Sequence, residues 1–356
     1  MRIPKKSLVI DISNILFRVA AVKKNDPYSR GVSDEDLVGL CMHMSLFSIH
    51  KHYNKFNPDF IVFAFEGGNN WRKTFTKKEK SRKGYKANRI IDPTMKHYYE
   101  LLDSFRTVIS AHTSICCLCI DTMEADDAIA AYCQLYASDE HEIIIISGDR
   151  DFTQLLKLPQ VKLVNPDNGK LRNTEQDKEY EPDLDYWLFK KCVRGDGGDN
   201  VPSAFPKVRE TKIKKAYEDQ YERLNFMNTT WKQIVLDTDE NGNDIQIEVE
   251  HRVGDLFEEN VILMDLMKQP GDSRLILEEG VRIQVENIGN YSHFHFLRFL
   301  GKFNLKKVSE EASRFIDMFS NNQRFRKGSI ETIKKNNVNI QEESIEKEKP
   351  NNLLSF

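Results

Sequence analysis

The stretch Glu-Ile-Ile-Ile-Ile-Ser-Gly-Asp-Arg-Asp-Phe, residues 142–152, decides how the rest of this chain is interpreted. Four consecutive isoleucines, at 143–146, are typical of a strand buried on both faces, as in a parallel sheet covered by helices. The strand ends at Ser-Gly, and Asp149 and Asp151 follow at once. Because ligands of open α/β sheets gather outside the carboxyl ends of the strands, these two carboxylates are predicted to lie where such a fold carries its chemistry.

Strand and helix patterns alternate through the first half of the chain. Apolar strands are predicted near 7–11, 60–65, 114–120 and 161–164, and helices near 12–21, 33–55, 93–111 and 125–137. This alternation predicts an α/β lobe with a mostly parallel central sheet flanked by helices, over residues 1–181.

The second half is organised differently. Residues 182–319 read as a helical lobe, with helices near 183–194, 207–221, 255–268 and 292–319. A β-hairpin is expected as an insertion at 231–250, because Asn241-Gly242 is a strong two-residue turn signal. Residues 320–356 are rich in Asn, Lys and Glu, a composition that favours disorder.

Composition sets outer limits on the function. The chain has 356 residues, 40% of them hydrophobic, which is enough for a sizeable core, and its net charge of −3 indicates no particular partner. Three of the six cysteines fall in the apolar run 115–120, and we interpret all six as reduced core residues of a cytoplasmic protein. The amino terminus has the pattern of neither a signal peptide nor a membrane span.

Carboxylates recur at the predicted strand ends and helix starts. They are Asp11, Glu66, Glu124, Asp126, Asp127, Asp149, Asp151, Asp196 and Asp199. Any one of them could be a turn or helix-capping residue, and Glu124–Asp127 would make a good helix start. Gathered at one rim, however, so many acids need counter-charge, since each raises the pKa of its neighbours. Oxygen ligands without His or Cys favour Mg²⁺ or Mn²⁺, and two such ions can clamp a phosphodiester.

A basic block follows the second predicted strand. Residues 72–89 hold nine Lys or Arg against one acid, Glu79, with Phe75 and Tyr85 interleaved and Trp71 just before. Such a run alone is usually a solvated face. Beside an acid cleft that repels nucleic acid, we interpret it as a mobile element, spanning 68–92, whose cations hold phosphates and whose aromatic rings stack on unpaired bases.

The sequence Gly-Asp-Gly-Gly-Asp-Asn at 195–200 admits several interpretations. It could be a flexible turn or a Ca²⁺ loop, but the EF-hand pattern fails because no Glu follows at the required position. Its two aspartates, three residues apart, could reach one ion from a single turn. Five basic residues follow, enough for several phosphate contacts: Lys207, Arg209, Lys212, Lys214 and Lys215.

Together these motifs resemble the metal-dependent 5′-nuclease family of flap endonucleases and 5′–3′ exonucleases, and within it the ribonuclease H branch of T-even-type bacteriophages. The similarity covers roughly residues 7–319. It is carried by Val9-Ile10-Asp11, Glu66 with Trp71-Arg72-Lys73, Gly84-Tyr85-Lys86-Ala87-Asn88-Arg89, Glu124-Ala125-Asp126-Asp127, Ser147-Gly148-Asp149-Arg150-Asp151-Phe152 and Gly195-Asp196-Gly197-Gly198-Asp199-Asn200-Val201.

The resemblance implies a PIN-like 5′-nuclease fold with a basic arch and a helical lobe that grips duplex DNA. It implies two Mg²⁺ ions, replaceable by Mn²⁺. Asp11, Glu66, Asp126 and Asp149 would hold the first, with Glu124 close by; Asp151, Asp196 and Asp199 would hold the second, with Asp127 contributing. Lys86, Arg89 and Arg72 would steer the scissile phosphate, and Tyr85 would stack on the terminal base. Lys73, Arg82 and Lys83 and the five basic residues after 200 would bind nucleic acid.

The implied reaction is hydrolysis of phosphodiesters from a 5′ end, on RNA primers in RNA–DNA hybrids and on 5′ DNA ends or flaps, during phage-type replication in the host cytoplasm. Two departures from the family pattern stand out. Glu66 replaces the usual aspartate, and no glycine occurs between Gly198 and Gly242 to form the family's Gly-rich hairpin. Side chains of Lys and Arg are therefore expected to grip the duplex, with a steep salt dependence.

Two other functions remain open on the sequence alone: a PIN-type endoribonuclease and a catalytically silent fork-binding protein. We expect a monomer without membrane contact. The apolar tip Leu353, Leu354 and Phe356 at the end of a polar tether predicts docking on a sliding clamp or single-strand DNA-binding protein, although chance hydrophobic residues would look the same.

Overall fold

The computed structural model describes residues 4–24, 32–76, 84–89, 95–238, 244–323 and Phe325. At its centre lies a sheet of five parallel strands in the order β3-β2-β1-β4-β5. The strands are β1 (Lys6–Asp11), β2 (Phe60–Ala64), β3 (Cys116–Leu118), β4 (Glu142–Ile146) and β5 (Val161–Val164). The predicted parallel sheet is confirmed.

The isoleucine strand is buried on both faces, as predicted. Ile144 and Ile146 face one apolar cluster together with Leu8 and Ile10 of β1. The alternate residues Ile143 and Ile145 face a second cluster on the other side of the sheet. Two cores therefore sandwich the sheet, which explains why β4 lacks the polar alternation of a one-sided strand.

Helices cover both faces. The first face carries α1 (Ile12–Lys24), α2 (Asp34–Phe56) and α4 (Met95–His112), and α5 (Ala125–Tyr136) covers the second. The short helix α3 (Trp71–Thr76) follows β2, and a 3₁₀ helix, Asp151–Lys157, follows β4. Ser33 caps α2 by accepting a hydrogen bond from the Asp36 N–H, as the acidic first turn suggested.

A second lobe has an apolar cluster of its own. The helices of this lobe are α6 (Leu184–Arg194), α7 (Glu210–Glu218), α8 (Gln220–Met227) and α9 (Val253–Met264). The predicted hairpin is present as an antiparallel ribbon of β6 (Thr230–Thr238) and β7 (Asp244–Arg252); its Asn241-Gly242 turn lies outside the described residues.

The carboxyl-terminal helices return to the sheet. They are α10 (Gly271–Glu286), α11 (His293–Lys302), α12 (Lys306–Glu310) and α13 (Ile316–Ser320). α10 packs against α5, and α11 packs against α4. The packing thus divides the chain differently from the expected boundary at 182, because residues after 270 complete the cores of the first lobe. α10 itself escaped sequence analysis, although Leu277, Val281 and Val285 recur at helical spacing.

The strand order reverses between β1 and β4. β2 and β3 extend the sheet to one side of β1, while β4 and β5 extend it to the other. At such a switch point the two following segments leave in opposite directions and open a crevice at the carboxyl edge. Asp11 ends β1 and Asp149 follows β4, so both lie at this crevice. In the described part of the chain, no helix is long and apolar enough to cross a bilayer.

Candidate active site

The crevice at the switch point brings Asp11 and Asp149 together. Asp11 is only 7% exposed; its carboxylate accepts hydrogen bonds from Ser147 Oγ at 3.1 Å and from the Asn14 N–H at 3.0 Å. Burial, reinforced by the negative charges of Glu66 and Asp149, raises the pKa of Asp11 to about 7. The raised pKa shows that, in the part of the chain that the structure describes, the ionised form of Asp11 lacks a positive charge nearby to stabilise it.

Glu66 and Asp126 line the same cleft from the other side. Glu66 follows β2 and accepts a hydrogen bond from the Ala125 N–H at 3.1 Å, at the amino end of α5. Burial and the neighbouring Glu124 raise the pKa of Glu66. Burial, Glu124 and Asp127 also raise the pKa of Asp126, well above its ordinary value. Glu66 thus lines the cleft together with the other acids, although the family pattern has a shorter aspartate at this position.

These four acids form what we call the open set: Asp11, Glu66, Asp126 and Asp149. Together they line a cleft of about 1030 Å³. Among the described residues none of them makes an ion pair with Lys, Arg or His. Their all-oxygen donor chemistry, and the raised pKa values of Asp11, Glu66 and Asp126, fit a hard divalent cation. No three His, Cys, Asp or Glu side chains in the described ranges already converge on one ion position, so binding would draw the carboxylates together or use bridging water.

A second group of acids, the paired set, is neutralised by the protein itself. Its members are Glu124, Asp127, Asp151, Asp196 and Asp199. Lys191, near the end of α6, contacts Asp151 and lies 3.4 Å from Asp196. Burial, with a smaller contribution from the negative charge of Asp149, raises the pKa of Asp151 to about 6 and outweighs the opposing effect of Lys191. Lys191 was missed by sequence analysis, although it stands one turn before the acidic loop.

Asp199 is paired with the segment that carries the predicted phosphate-steering residues. Arg89 lies 2.7 Å and Lys86 3.7 Å from its carboxylate. Burial acts to raise the pKa of Asp199, but Lys86, Tyr85 and Arg89 outweigh it and hold the pKa below its ordinary value. Lys86 also contacts Glu124. Lys86 and Arg89 therefore stand at the cleft as predicted, but their charges are engaged by carboxylates.

The segment Gly84–Arg89 is docked on the acidic loop by three hydrogen bonds, each accepted by a backbone carbonyl. The Lys86 N–H donates to the Asp199 carbonyl at 2.9 Å, and Asn88 Nδ2 donates to the Gly197 carbonyl at 2.9 Å. Asn200 Nδ2 returns a bond to the Gly84 carbonyl at 3.0 Å. These contacts join the basic segment of the first lobe to the acidic loop of the second. Of the other predicted basic residues here, Lys73 lines the cleft, whereas Arg82 and Lys83 lie outside the described residues.

Arg72 and Asp127 do not occupy the positions predicted for them. Arg72 is 1% exposed and binds Asp127 with two 2.7 Å hydrogen bonds, while its Nε donates to the Leu263 carbonyl at 2.8 Å. Asp127 has no exposed surface and also closes the capping box of α5. The pair is a buried bidentate ion pair, so Arg72 does not face a phosphate, and Asp127 has no free oxygen to offer a metal.

Tyr85 also differs from its prediction. Its side chain is 6% exposed, and its hydroxyl lies 2.9 Å from both Glu124 Oε2 and Asp199 Oδ2. A ring so enclosed cannot stack on a terminal base in this conformation. Two other aromatic residues line the cleft, Phe17 and Tyr99, whose rings meet edge to face at 6.0 Å, with Tyr99 57% exposed. Neither belongs to a motif that marks it in the sequence.

The five basic residues of the second lobe that were predicted to bind nucleic acid lie on or just before α7. Lys212 stands 4.7 Å above the ring of Phe205, while Lys214 and Lys215 pair with Glu218 and Glu222. Lys207 and Arg209 precede the helix, in the segment where the family's Gly-rich hairpin would be. They give this surface a positive edge, partly offset by its own acids.

Comparison with known proteins identifies the family of this chain. A family model described as the 5′–3′ exonuclease N-terminal resolvase-like domain matches residues 6–183. The ribonuclease H of Enterobacteria phage T4 is 29% identical over 264 residues, which cover 72% of this chain and 80% of the relative. The flap endonuclease Xni of Shewanella loihica is 27% identical over 199 residues, 55% of this chain and 69% of its own.

Solved structures share the fold. A phage T5 protein co-crystallised with metal ions superposes with a TM-score of 0.53 at 15% identity, covering 79% of this chain and 99% of its own. A T5 flap endonuclease in a pseudo-enzyme–product complex with DNA and metal ions gives 0.52 at 16% identity, covering 79% and 98%. The family match spans half of the chain, and the protein therefore belongs to the 5′–3′ exonuclease family of nucleases.

Proposed function

We propose that this protein is a divalent-metal-dependent nuclease that hydrolyses phosphodiesters from 5′ ends, removing RNA from RNA–DNA hybrids and cutting 5′ DNA ends and flaps. The observation that carries the proposal is the open set, four carboxylates without a cationic partner in the described chain, in a cleft whose wall carries Lys73, Lys86 and Arg89. The substrate classes are those of the relatives, a ribonuclease H and a flap endonuclease.

Mg²⁺ is the proposed physiological ion, with Mn²⁺ able to replace it, because oxygen donors without His or Cys suit both. The open set would hold one ion, with Glu124 beside it. Asp151, Asp196 and Asp199 of the paired set would hold a second. When bound, such ions supply a hydroxide near neutral pH and stabilise the charge that develops on the phosphate.

The protein's own cations have a second task under this proposal. Lys86 and Arg89 now neutralise Glu124 and Asp199. Both residues line the cleft, so with a metal ion neutralising these two acids their side chains would be free to contact the scissile phosphate. Lys191 would likewise release Asp151 and Asp196. Asp127 and Arg72 would support the site from behind as a fixed ion pair.

The second lobe is proposed to grip the duplex through Lys207, Arg209, Lys212, Lys214 and Lys215. Because side chains rather than backbone amides would contact the phosphates, affinity should fall steeply with salt. Lys214 and Lys215 already pair with glutamates, so we expect them to contribute less to the salt dependence than Lys207 and Arg209.

One gel tests the central proposal. A 5′-labelled flap DNA, an RNA–DNA hybrid and a single-stranded RNA are incubated with wild-type protein, Asp149→Asn and the control Asp317→Asn, with Mg²⁺ or with chelator. Asp317 is an exposed aspartate on α13. We expect Mg²⁺-dependent cleavage of flap and hybrid, reduced about 10³-fold or more by Asp149→Asn, which is about 4 kcal/mol of transition-state stabilisation.

Two results would contradict the proposal and favour the alternatives. Cleavage of the single-stranded RNA with no preference for a 5′ end would indicate a PIN-type endoribonuclease. Binding of the flap without any cleavage would indicate a catalytically silent fork-binding protein.

The carboxyl-terminal tip, Leu353, Leu354 and Phe356, lies outside the described residues. We propose that it docks on a sliding clamp or single-strand DNA-binding protein, since it is an apolar tip on a polar tether. Deleting residues 350–356 should weaken binding of the purified clamp or single-strand binding protein and leave cleavage of naked flap DNA intact. Unchanged binding of both partners would refute this assignment.

A further inference from the structure

The end of α9 and the turn after it touch every element that carries the paired acids. Arg72 Nε donates to the Leu263 carbonyl, and Gln154, fully buried in the 3₁₀ helix that follows the isoleucine strand, donates to the Met264 carbonyl at 3.2 Å. Gln154 also donates to the Asp151 carbonyl at 2.9 Å and accepts from the Leu266 N–H at 2.9 Å. A single segment, 260–269, therefore braces the pieces of the site against one another.

Asn260 forms the least expected of these contacts. It has no exposed surface, and its Nδ2 donates one hydrogen bond to the Cys192 carbonyl and one to the Pro202 carbonyl, each 2.8 Å long. Cys192 and Pro202 stand on either side of the loop that carries Asp196 and Asp199. The amide group thus ties together the two ends of the acidic loop.

Backbone contacts close the loop at its base. The backbone groups of Asp196 and Val201 pair with each other, at 2.9 and 2.8 Å. Gly195 adopts a φ of +70°, and a Cβ there would stand 2.4 Å from the Pro202 carbonyl oxygen, so the two ends of the loop pass in close contact. Asn260 lies beside this crossing and fixes its geometry from the α9 side.

Packing alone does not explain an asparagine at this position. Both N–H groups of Asn260 are used, but Oδ1 is buried and has no hydrogen-bond partner among the described residues. A leucine of similar size would avoid the cost of burying that oxygen. The amide is therefore retained for its two donors, both of which serve the acidic loop.

We propose that Asn260 is a positioning residue that holds Asp196 and Asp199 in place for the second metal ion. This inference rests on the proposed function. It also explains how α9, which lies outside the matched family region 6–183, contributes to the site. Because the Lys86 N–H bonds to the Asp199 carbonyl, displacement of the loop would move the phosphate-steering segment as well.

The test compares two buried asparagines. Asn322 is fully buried like Asn260, and its side chain both accepts from the Ile61 N–H and donates to the Ile61 carbonyl, at 2.8 Å each, near the amino end of β2. Asn260→Leu and Asn322→Leu each remove two backbone contacts from a buried site, and only the first should affect the acidic loop.

Two measurements are made on both variants. Without metal, hydrogen exchange is followed in a peptide covering 193–202; we expect about tenfold faster exchange in Asn260→Leu and no change in Asn322→Leu. Mn²⁺ binding is then titrated by electron paramagnetic resonance. Asn260→Leu should weaken one of two classes of site about tenfold, the size of effect typical of groups that orient metal ligands, and leave the other unchanged.

The proposal is overturned if exchange in the 193–202 peptide is the same in both variants, or if both Mn²⁺ classes weaken equally. Should Asn260→Leu not fold, Asn260→Ser, which keeps one donor, replaces it; wild-type exchange and Mn²⁺ affinity in that variant would overturn the proposal equally. Absence of Mn²⁺ binding in the wild-type protein would instead count against the proposed function, because the exchange measurement needs no metal.

Discussion

The open set and the paired set are the same kind of residue in opposite electrostatic states. Asp11, Glu66, Asp126 and Asp149 share one cleft without a cationic partner in the described chain, and burial raises the pKa of three of them. The paired set, a few residues away in the chain, is neutralised by Arg72, Lys86, Arg89 and Lys191.

The two sets therefore differ in how they can bind a metal ion. The open set can bind it directly, whereas the paired set must first release a Lys or Arg side chain. For the open set, a metal ion adds charge where none is present. For most of the paired set, a metal ion has to displace an ammonium or guanidinium group already in contact. Asp127 is the limiting case, because its bidentate partner is buried with it and has no path to solvent. Substitutions that alter one state and not the other should therefore have separable effects.

The largest effect on stability is expected from Arg72→Ala. The substitution leaves Asp127 as a buried charge without its partner, which should lower the free energy of unfolding by about 3–5 kcal/mol. Urea denaturation of wild-type and variant protein measures this difference.

Arg89→Ala is the matched comparison. The Arg89 side chain is 59% exposed in its pair with Asp199, so its loss should change stability by less than about 1 kcal/mol while reducing flap cleavage. If Arg72→Ala instead kept wild-type stability and lost cleavage, the phosphate-steering role that the sequence suggested for Arg72 would be correct after all.

The buried position of Arg72, where a phosphate-steering residue was predicted, shows what the sequence could and could not reveal. The isoleucine strand predicted the sheet because buried parallel strands have a composition of their own, and strand ends predicted where Asp11 and Asp149 would meet. Arg72 and Tyr85 were assigned by motif, and a motif does not say which way a side chain turns. Their burial depends on contacts with Leu263, Glu124 and Asp199, which are distant in the sequence.

Lys191 and Asn260 were missed for a related reason. Each acts on carboxylates or carbonyls of another element, and neither belongs to a pattern of spacing that marks such a role. Helix α10 is different, since its apolar spacing was present and was overlooked. Long-range polar contacts, rather than the fold, set the limit of sequence analysis here.

The next largest effect concerns pH and the open set. The pKa of Asp11 is about 7 in the folded protein against an ordinary value of 3.8. A raised carboxyl pKa stabilises the folded state fully below about pH 4, and this contribution is lost as the pH rises through 7. In metal-free protein, Asp11→Asn should therefore be more stable than wild type at pH 8, by up to a few kcal/mol, with the difference vanishing near pH 4.

Thermal unfolding in chelator across this pH range measures the effect, with Asp317→Asn as the exposed control. Adding Mg²⁺ at pH 8 should stabilise the wild type more than Asp11→Asn. A stability difference that does not depend on pH would show that burial does not raise the pKa of Asp11.

A smaller effect is expected on metal affinity when a cation is removed from the paired set. Lys191→Met frees Asp151 and Asp196, so the concentration of Mg²⁺ that gives half-maximal cleavage should fall several-fold, or about 1 kcal/mol. Without metal, the same variant should be less stable, because two carboxylates lose their counter-charge.

Lys190→Met is the control for this change. Lys190 stands next to Lys191 in α6 but lies near Glu181 and Glu210 instead, at 3.7 and 3.0 Å. Its substitution should leave the Mg²⁺ response unchanged. Loss of the Mg²⁺ response in Lys191→Met would mean that Lys191 acts in catalysis rather than as a placeholder for the ion.

The smallest change, Tyr85→Phe, distinguishes a bridging hydroxyl from a stacking ring. The hydroxyl lies between Glu124 and Asp199, which no other phenol contacts in the described part of the chain, so its loss should cost about 0.5–1.5 kcal/mol of stability without metal. A ring that only stacks on a base would lose nothing, since phenylalanine stacks equally well. Tyr99→Phe serves as the control, because Tyr99 is exposed at the mouth of the cleft. If Tyr85→Phe matches the wild type in thermal unfolding, the hydroxyl is not a bridge, and the segment Gly84–Arg89 must be held on the acidic loop by the contacts of Lys86, Asn88 and Arg89.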